Sequence, residues 1–320
     1  MAYDSIFRPG LFAGRHVVVT GGGSGLGRCT AHELASLGAE VALVGRKAEK
    51  LAAVAAEIAA AGGKATTHPC DVRIEEEVKR AVAAIVAAHG RIDGLVNNAG
   101  GQFSAPLKEI NQKGWETVVR TNLTGGFLVA RECFTQSMEA HGGAIVNIIA
   151  DMWRSMPGMG HSGAARAGML NFTETAAVEW AYAGVRVNAL APGVIASSGL
   201  ATYPEEMRPR IANIWRQVPL KRLGTESEVS AAIVFLLSDA AAFISGSCLR
   251  VDGAHPNARP NWPLPDHDRS KPYYGFPLES PPEFLRKPPL SNSPPQGGRG
   301  LNSFSGYDPS PLEGEGREGG

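Results

Sequence analysis

The sequence predicts an α/β fold: a doubly wound parallel sheet in a single domain, followed by a tail of different character. Three observations carry this expectation. Up to about residue 255, short apolar runs alternate with longer segments whose apolar residues recur at helical spacing. Several short runs are nearly continuous in apolar residues, the pattern of parallel strands covered on both faces. A glycine-rich stretch also follows the first run directly, where a strand turns into a helix. In chain order, strands are expected at 16–20, 40–44, 64–69, 93–96, 144–149, 185–190 and 248–251. Helices rich in Ala and Leu are expected at 28–37, 48–61 and 75–89, each with one apolar face. Segments 112–140 and 163–183 carry further apolar helical faces.

The remainder is unlike the domain. Thirteen of the 22 prolines follow Ala258, a density that defeats regular structure and core formation. Residues 1–256 therefore read as the domain, 257–287 as a Pro-rich extension packed on it through Trp262, and 288–320 as a disordered tail. Lys plus Arg and Asp plus Glu number 31 each, which excludes a strong pull towards nucleic acid or an anionic membrane. No run approaches the roughly 18 apolar residues of a membrane span. Residues 1–8 hold no apolar core of a signal peptide, so a cytoplasmic location is expected. Cys29, Cys70, Cys133 and Cys248 are isolated, with no Cys/His ligand spacing; buried reduced thiols and no metal site are expected.

The first strand runs into Thr20-Gly21-Gly22-Gly23-Ser24-Gly25-Leu26-Gly27. Glycines here let a pyrophosphate approach the backbone and the N-terminus of the next helix. The second strand ends at Arg46 with no acidic residue to take a ribose 2′-hydroxyl. A guanidinium there suits a 2′-phosphate, through a charge-assisted bond worth roughly 1.5–3 kcal/mol. NADP(H) is the expected cofactor.

Three further motifs stand at matching distances: Cys70-Asp71-Val72, Asn97-Asn98-Ala99-Gly100 and Pro192-Gly193-Val194, after the third, fourth and sixth strands. With the glycine turn they resemble the short-chain dehydrogenase/reductase family over about 240 residues. The resemblance implies a seven-stranded Rossmann sheet. It also implies Asp71 and Val72 at the adenine, Asn98, Ala99 and Gly100 beside the cofactor, and Pro192, Gly193 and Val194 at the nicotinamide carboxamide. A substrate lid at about 196–217, carrying Tyr203, Met207 and Trp215, follows from it, as does a homodimer or homotetramer built on the 112–140 and 163–183 faces.

The proton-donating half of that pattern is rewritten. Where the family carries Tyr and, four residues on, Lys, this chain has Ser162 and Arg166. The family Ser after the fifth strand is replaced in Ile149-Ala150, which runs into Asp151, while the family Asn is kept as Asn122. A Tyr beside a Lys can protonate an alkoxide; a Ser hydroxyl is a much weaker acid, and Arg does not shuttle protons. Arg166 can still hold nicotinamide ribose hydroxyls and stabilise an oxyanion. Reduction of a C=C bond conjugated to a thioester needs donors for an enolate oxygen, which Ser162, Asn122 and Arg166 offer.

Segments 161–168, 100–103, 113–115, 122–125 and 264–268 are similar to peroxisomal trans-2-enoyl-CoA reductases, although their Tyr one turn past the Arg is Leu170 here. The Tyr that related dienoyl-CoA reductases place eleven residues before the Ser is Asp151 here, so Asp151 and His161 are the candidate substitutes, with Tyr203 on the lid. Asp151-Met152-Trp153 and Met156-Pro157-Gly158-Met159-Gly160-His161 also resemble bacterial citronellol/citronellal dehydrogenases. The leading expectation is an NADPH-dependent 2-enoyl-CoA reductase. The alternatives are a terpenoid alcohol dehydrogenase acting on citronellol or citronellal, and a non-catalytic cofactor-binding homologue.

Overall fold

Alternate residues of the central strands bury on opposite sides of one sheet. Val17, Val19, Val41 and Leu43 join one apolar cluster with the first and last long helices, while Val18, Ala42 and Val44 join a second cluster on the other face. Both faces are thus covered, which is why these strands read as continuous apolar runs. The computed structural model describes residues 3–203, 205–276 and 281–285. The tail expected at 288–320 lies outside the described residues.

Seven strands pair in parallel in the order β3-β2-β1-β4-β5-β6-β7. They are β1 His16–Thr20, β2 Glu40–Gly45, β3 Lys64–Pro69, β4 Gly94–Asn97, β5 Gly143–Ile148, β6 Val185–Pro192 and β7 Cys248–Val251. The α-helices are α1 Gly25–Ser36, α2 Ala48–Ala60, α3 Glu75–His89, α4 Gln112–Val119, α5 Gly125–Cys133, α6 Glu139–His141, α7 Gly160–Glu179, α8 Arg208–Asn213 and α9 Glu226–Leu237. The chain leaves β1 towards β2 on one side and reaches β4 on the other, so a crevice opens at the carboxyl ends of β1 and β4.

One helical segment departs from its expected continuity. The 112–140 helix is interrupted twice by π-turns, at Arg120–Thr124 and Phe134–Met138. The expected lid, 196–217, is a string of short turns around α8, with 3-10 turns at Ser198–Thr202, Glu205–Met207 and Ile214–Gln217.

Trp262 does not anchor the extension, being 72% exposed. Contact is made further on: Thr225 Oγ1 donates to Tyr273 O at 2.7 Å, and Phe276, 3% exposed, stacks on Tyr3 with ring centres 5.8 Å apart. Cys29, Cys70 and Cys133 are buried thiols outside any disulfide, whereas Cys248 is only half-buried. Burial pushes the Cys70 and Cys248 thiols up to about 11 and Cys133 to about 12, so all three are protonated at neutral pH.

Candidate active site

The glycine turn is built for close approach. Gly21 has φ +68°, and a Cβ there would stand 2.8 Å from Asn98 Nδ2; a Cβ on Gly27 would stand 2.4 Å from Gly21 O. Gly23 is nearly as tight, with Lys50 Cβ at 3.0 Å from its would-be Cβ, and Gly25 has φ +56°. Ser24 is the extended residue before α1, makes no side-chain cap, and the first turn of α1 holds no acidic residue. The helix N-terminus, with its partial positive charge, therefore faces the crevice uncapped. Leu26 packs against the core beneath.

Thr20 does not present its side chain to that crevice. It is fully buried, and its hydroxyl accepts from the backbone N–H groups of Asn98 and Ala99, both at 2.8 Å. Asn98 Nδ2 donates back to Thr20 O at 2.9 Å. Thr20 and Asn98 thus lace β1 to β4 and set the crevice width.

Arg46 is exposed just past β2. Asp71, on the next strand end, binds Arg73 through both carboxylate oxygens, and that bond holds its carboxyl below the usual range. Val72 is buried against α5, where a Cβ on Gly125 would lie 2.8 Å from Val72 Cγ2. Beyond β6, Gly193 N donates to Val251 O at 2.9 Å and Gly224 N donates to Val194 O at 3.1 Å, while Pro192 O accepts from Asp151 N at 3.1 Å. The Pro192–Val194 turn is pinned to its neighbours on both sides.

Arg166 reaches from α7 into the centre of this edge. Its Nη1 donates to Ile148 O at 2.7 Å, and a Cβ on Gly100 would stand 2.6 Å from its Nη2. Its Nε is buried with no hydrogen-bond partner among the described residues. Burial pushes the guanidinium down to about 10, which leaves it charged at neutral pH. A buried cation with an unspent donor at the carboxyl end of the sheet fits an anionic or hydroxyl-rich ligand.

Asn122 sits in the first π-turn and is 2% exposed. Its Oδ1 accepts from Gly101 N and its Nδ2 donates to Gly101 O, both at 2.9 Å. The amide expected to face the substrate oxygen is instead a clasp on the Gly100–Gln102 strand end. That clasp positions a residue which sequence reasoning did not single out. Gln102 Oε1 accepts from Ser162 Oγ at 2.7 Å, and its Nε2 donates to Tyr203 Oη at 2.9 Å. The Ser162 and lid Tyr203 hydroxyls are therefore joined through one side-chain amide. Only the quoted segment Gly100-Gly101-Gln102-Phe103 pointed in its direction.

The other two candidates face elsewhere. His161 is fully buried edge-on against Phe103, with ring centres 4.4 Å apart; its Nδ1 accepts from Ser162 N, and burial lowers its pKa. Neutral and enclosed, it supports the start of α7. Asp151 leaves β5 towards β7, and its Oδ2 lies 3.3 Å from His255 Nδ1. Neither hydrogen-bonds to Ser162 Oγ or Arg166 among the described residues. A buried polar ladder lies underneath: Asn97 Nδ2 donates to Asn147 Oδ1 at 3.1 Å, and Asn147 Nδ2 to Thr173 Oγ1 at 2.9 Å, tying β4, β5 and α7 together.

The family model described as enoyl-(acyl carrier protein) reductase matches residues 21–254. The chain belongs to the short-chain dehydrogenase/reductase family. It is 39% identical to a probable 2,4-dienoyl-CoA reductase of Bacillus subtilis, over 74% of this chain and 94% of that one. Among solved structures, it is 64% identical to a citronellol catabolism dehydrogenase of Pseudomonas aeruginosa PAO1, with a TM-score of 0.72 over 79% of this chain and all of that one. A putative gluconate 5-dehydrogenase from Beutenbergia cavernae, solved with bound NADP, is 36% identical with a TM-score of 0.73, over 78% of this chain and all of that one. The protein is thus an oxidoreductase of a family that binds a nicotinamide cofactor. No helix among the described residues is long and apolar enough to cross a membrane.

Proposed function

We propose that the protein uses NADPH to reduce the C=C bond of a 2-enoyl-CoA thioester whose acyl chain is apolar, of fatty or acyclic isoprenoid type. One observation carries this reading. At the centre of the site stand a fixed cation, Arg166, and a Ser hydroxyl already donating to Gln102, in place of a phenol beside a lysine. Arg166 stabilises negative charge on oxygen without delivering a proton to it, and Ser162 adds a second donor when its single proton turns from Gln102 to the substrate; this is the demand of an enolate and not of an alkoxide.

The residues fit the cofactor. The Gly21–Gly27 turn and the N-terminus of α1 would hold the pyrophosphate, Arg46 the 2′-phosphate, and Asp71 and Val72 the adenine side. Asn98, Ala99, Gly100 and Arg166 would line the nicotinamide ribose, and Pro192–Val194 the carboxamide. When bound, the cofactor supplies a hydride to the β-carbon.

The chain's own residues divide the remaining work. Arg166 holds the oxygen that gains charge, with its approach guarded by Gly100. Asn122 fixes Gly101 and hence Gln102. Gln102 orients Ser162 on one side and Tyr203 on the other. Tyr203 lies on the lid, beside the crevice end of α7, and Gln102 ties its hydroxyl into this network; we assign it the proton that the α-carbon takes up, with water returning a proton to the tyrosinate. Half-buried Met207 and Trp215 on the same segment give the lid an apolar lining.

The relative at 64% identity favours a second reading: interconversion of citronellol and citronellal. NADPH and NADH oxidation measured with crotonyl- to decenoyl-CoA and a branched isoprenoid 2-enoyl-CoA, beside citronellal and geranial, separates the two. Turnover of a thioester, faster with NADPH, is the expected result. Turnover of citronellal with none on any thioester would overturn it, and cofactor binding with no turnover of either class would point to a non-catalytic homologue.

A further inference from the structure

Three groups with metal-ligating atoms meet at the end of the sheet opposite the glycine turn. His16 opens β1, Glu40 opens β2 and His89 closes α3. His16 and Glu40 are register partners on adjacent strands. Glu40 Oε2 stands 3.8 Å from His16 Nδ1 and 3.5 Å from His89 Nδ1, and the three ligand atoms all lie within 4.8 Å of one another. A direct hydrogen bond joins none of these pairs, and His16 Nδ1 is buried with no hydrogen-bond partner among the described residues. Ligands roughly 2.0–2.2 Å from one tetrahedral ion stand about 3.3–3.5 Å apart, close to the two carboxylate–imidazole spacings found here, and the two ring nitrogens lie within 4.8 Å of each other.

The surroundings prepare the ring nitrogens for this. His89 Nε2 lies 3.1 Å from Thr66 Oγ1, and the same hydroxyl lies 2.9 Å from His68 Nε2. Thr66 Oγ1 can accept from His89 Nε2–H, and in that tautomer the Nδ1 lone pair faces Glu40. A hydrogen bond on the far nitrogen of this kind is what sets the tautomer of a metal-binding histidine. Glu40 divides its oxygens: Oε1 takes Lys64 Nζ at 2.7 Å, and Oε2 is turned towards the imidazoles. Lys64 is 76% exposed, so water screens its charge.

We propose that His16, Glu40 and His89 bind one divalent d-block cation of the Zn2+ type, with water completing the coordination. Two imidazoles and a carboxylate are a borderline donor set suited to such an ion and not to Mg2+ or Ca2+. The site lies at the amino ends of the strands, away from the hydride-transfer crevice, and would tie β1, β2 and α3 together. Residues 16, 40 and 89 are too dispersed for ligand spacing in the sequence to reveal them.

The test uses the full chain without a histidine tag, stripped with a chelator and titrated with Zn2+ by calorimetry. Four-coordinate Co2+ absorption serves as an independent signature. The expected result is one equivalent bound and a Tm raised by about 3 °C or more at saturating Zn2+. His16→Ala and Glu40→Gln are each expected to weaken binding at least ~10-fold. The two variants alter different strands, so a folding defect in one leaves the other informative. No saturable binding, or an affinity unchanged in both variants, would overturn the proposal.

Discussion

At the scale of single residues, the Arg166 guanidinium is held by one carbonyl and bounded by a glycine. Among the described residues only one of its donors is spent on protein, so a neutral replacement forfeits both charge and reach. Arg166→Ala is expected to weaken NADPH binding and lower kcat/KM by about 10–100-fold, the worth of one or two charged hydrogen bonds. Gly100→Ala tests the same point from the other side. Its Cβ would sit 2.6 Å from Arg166 Nη2 and 3.1 Å from Asn122 Oδ1, so the guanidinium must shift although its charge remains. Cofactor titration by fluorescence with steady-state kinetics should show both variants impaired and similarly folded. Full activity in Gly100→Ala would show that the position of Arg166 within the site is unimportant. The positions of Ser162 and Arg166 were legible as residue types at known spacing. Gln102 was not, because an amide bridging two hydroxyls from distant segments leaves no periodic or compositional trace.

At the scale of elements, the strands were legible because burial on two faces demands continuous apolar runs, and every expected strand is present within a residue or two. The exceptions in character are β3 and β7, whose residues are exposed or half-buried throughout, as befits the two edge strands. The π-turn at Arg120–Thr124 leaves no periodic trace because the contacts around it are tertiary: Asn122 is bound to Gly101, and a Cβ on Gly125 would meet Val72. One terminus was readable in hindsight, the capping box of α9. Thr225 Oγ1 accepts from Glu228 N at 3.1 Å, and Glu228 Oε2 accepts from Thr225 N at 2.9 Å. The same Thr hydroxyl donates to Tyr273 O and so also tethers the extension. Thr225→Ala should cost about 1–2 kcal/mol in urea unfolding, and Thr225→Ser, which keeps both bonds, no more than about 0.5 kcal/mol. Equal losses in the two would assign the effect to the methyl group instead of the cap.

At the scale of the whole molecule, one buried carboxylate joins parts far apart in the chain. Glu33, on α1, is fully buried; it accepts from Ser5 Oγ at 2.7 Å near the N-terminus and from Ser230 Oγ on α9. Tyr3, Cys29 and Phe276 cluster close by. Burial raises its pKa above the ordinary 4.5, and the hydroxyl bonds from Ser230, Ser5 and Tyr3 only partly offset this. A carboxyl whose folded pKa is raised favours folding fully below its unfolded value, and that contribution is lost as pH climbs through the folded value. Glu33 therefore opposes the histidines in the acid range. His32 and His161 are held below 6.5 by burial, so their contribution is lost as pH falls from 6.5. Glu33→Gln separates the two, because an amide keeps the hydroxyl partners and does not ionise. The Tm of the variant minus that of the wild type is expected to rise with pH, starting near 4.5 and levelling above the raised value, while the histidine slope persists in both proteins. Parallel Tm curves from pH 4 to 8 would mean that Glu33 ionises as easily inside the protein as in water, and that the seam between the chain's distant segments carries no buried charge.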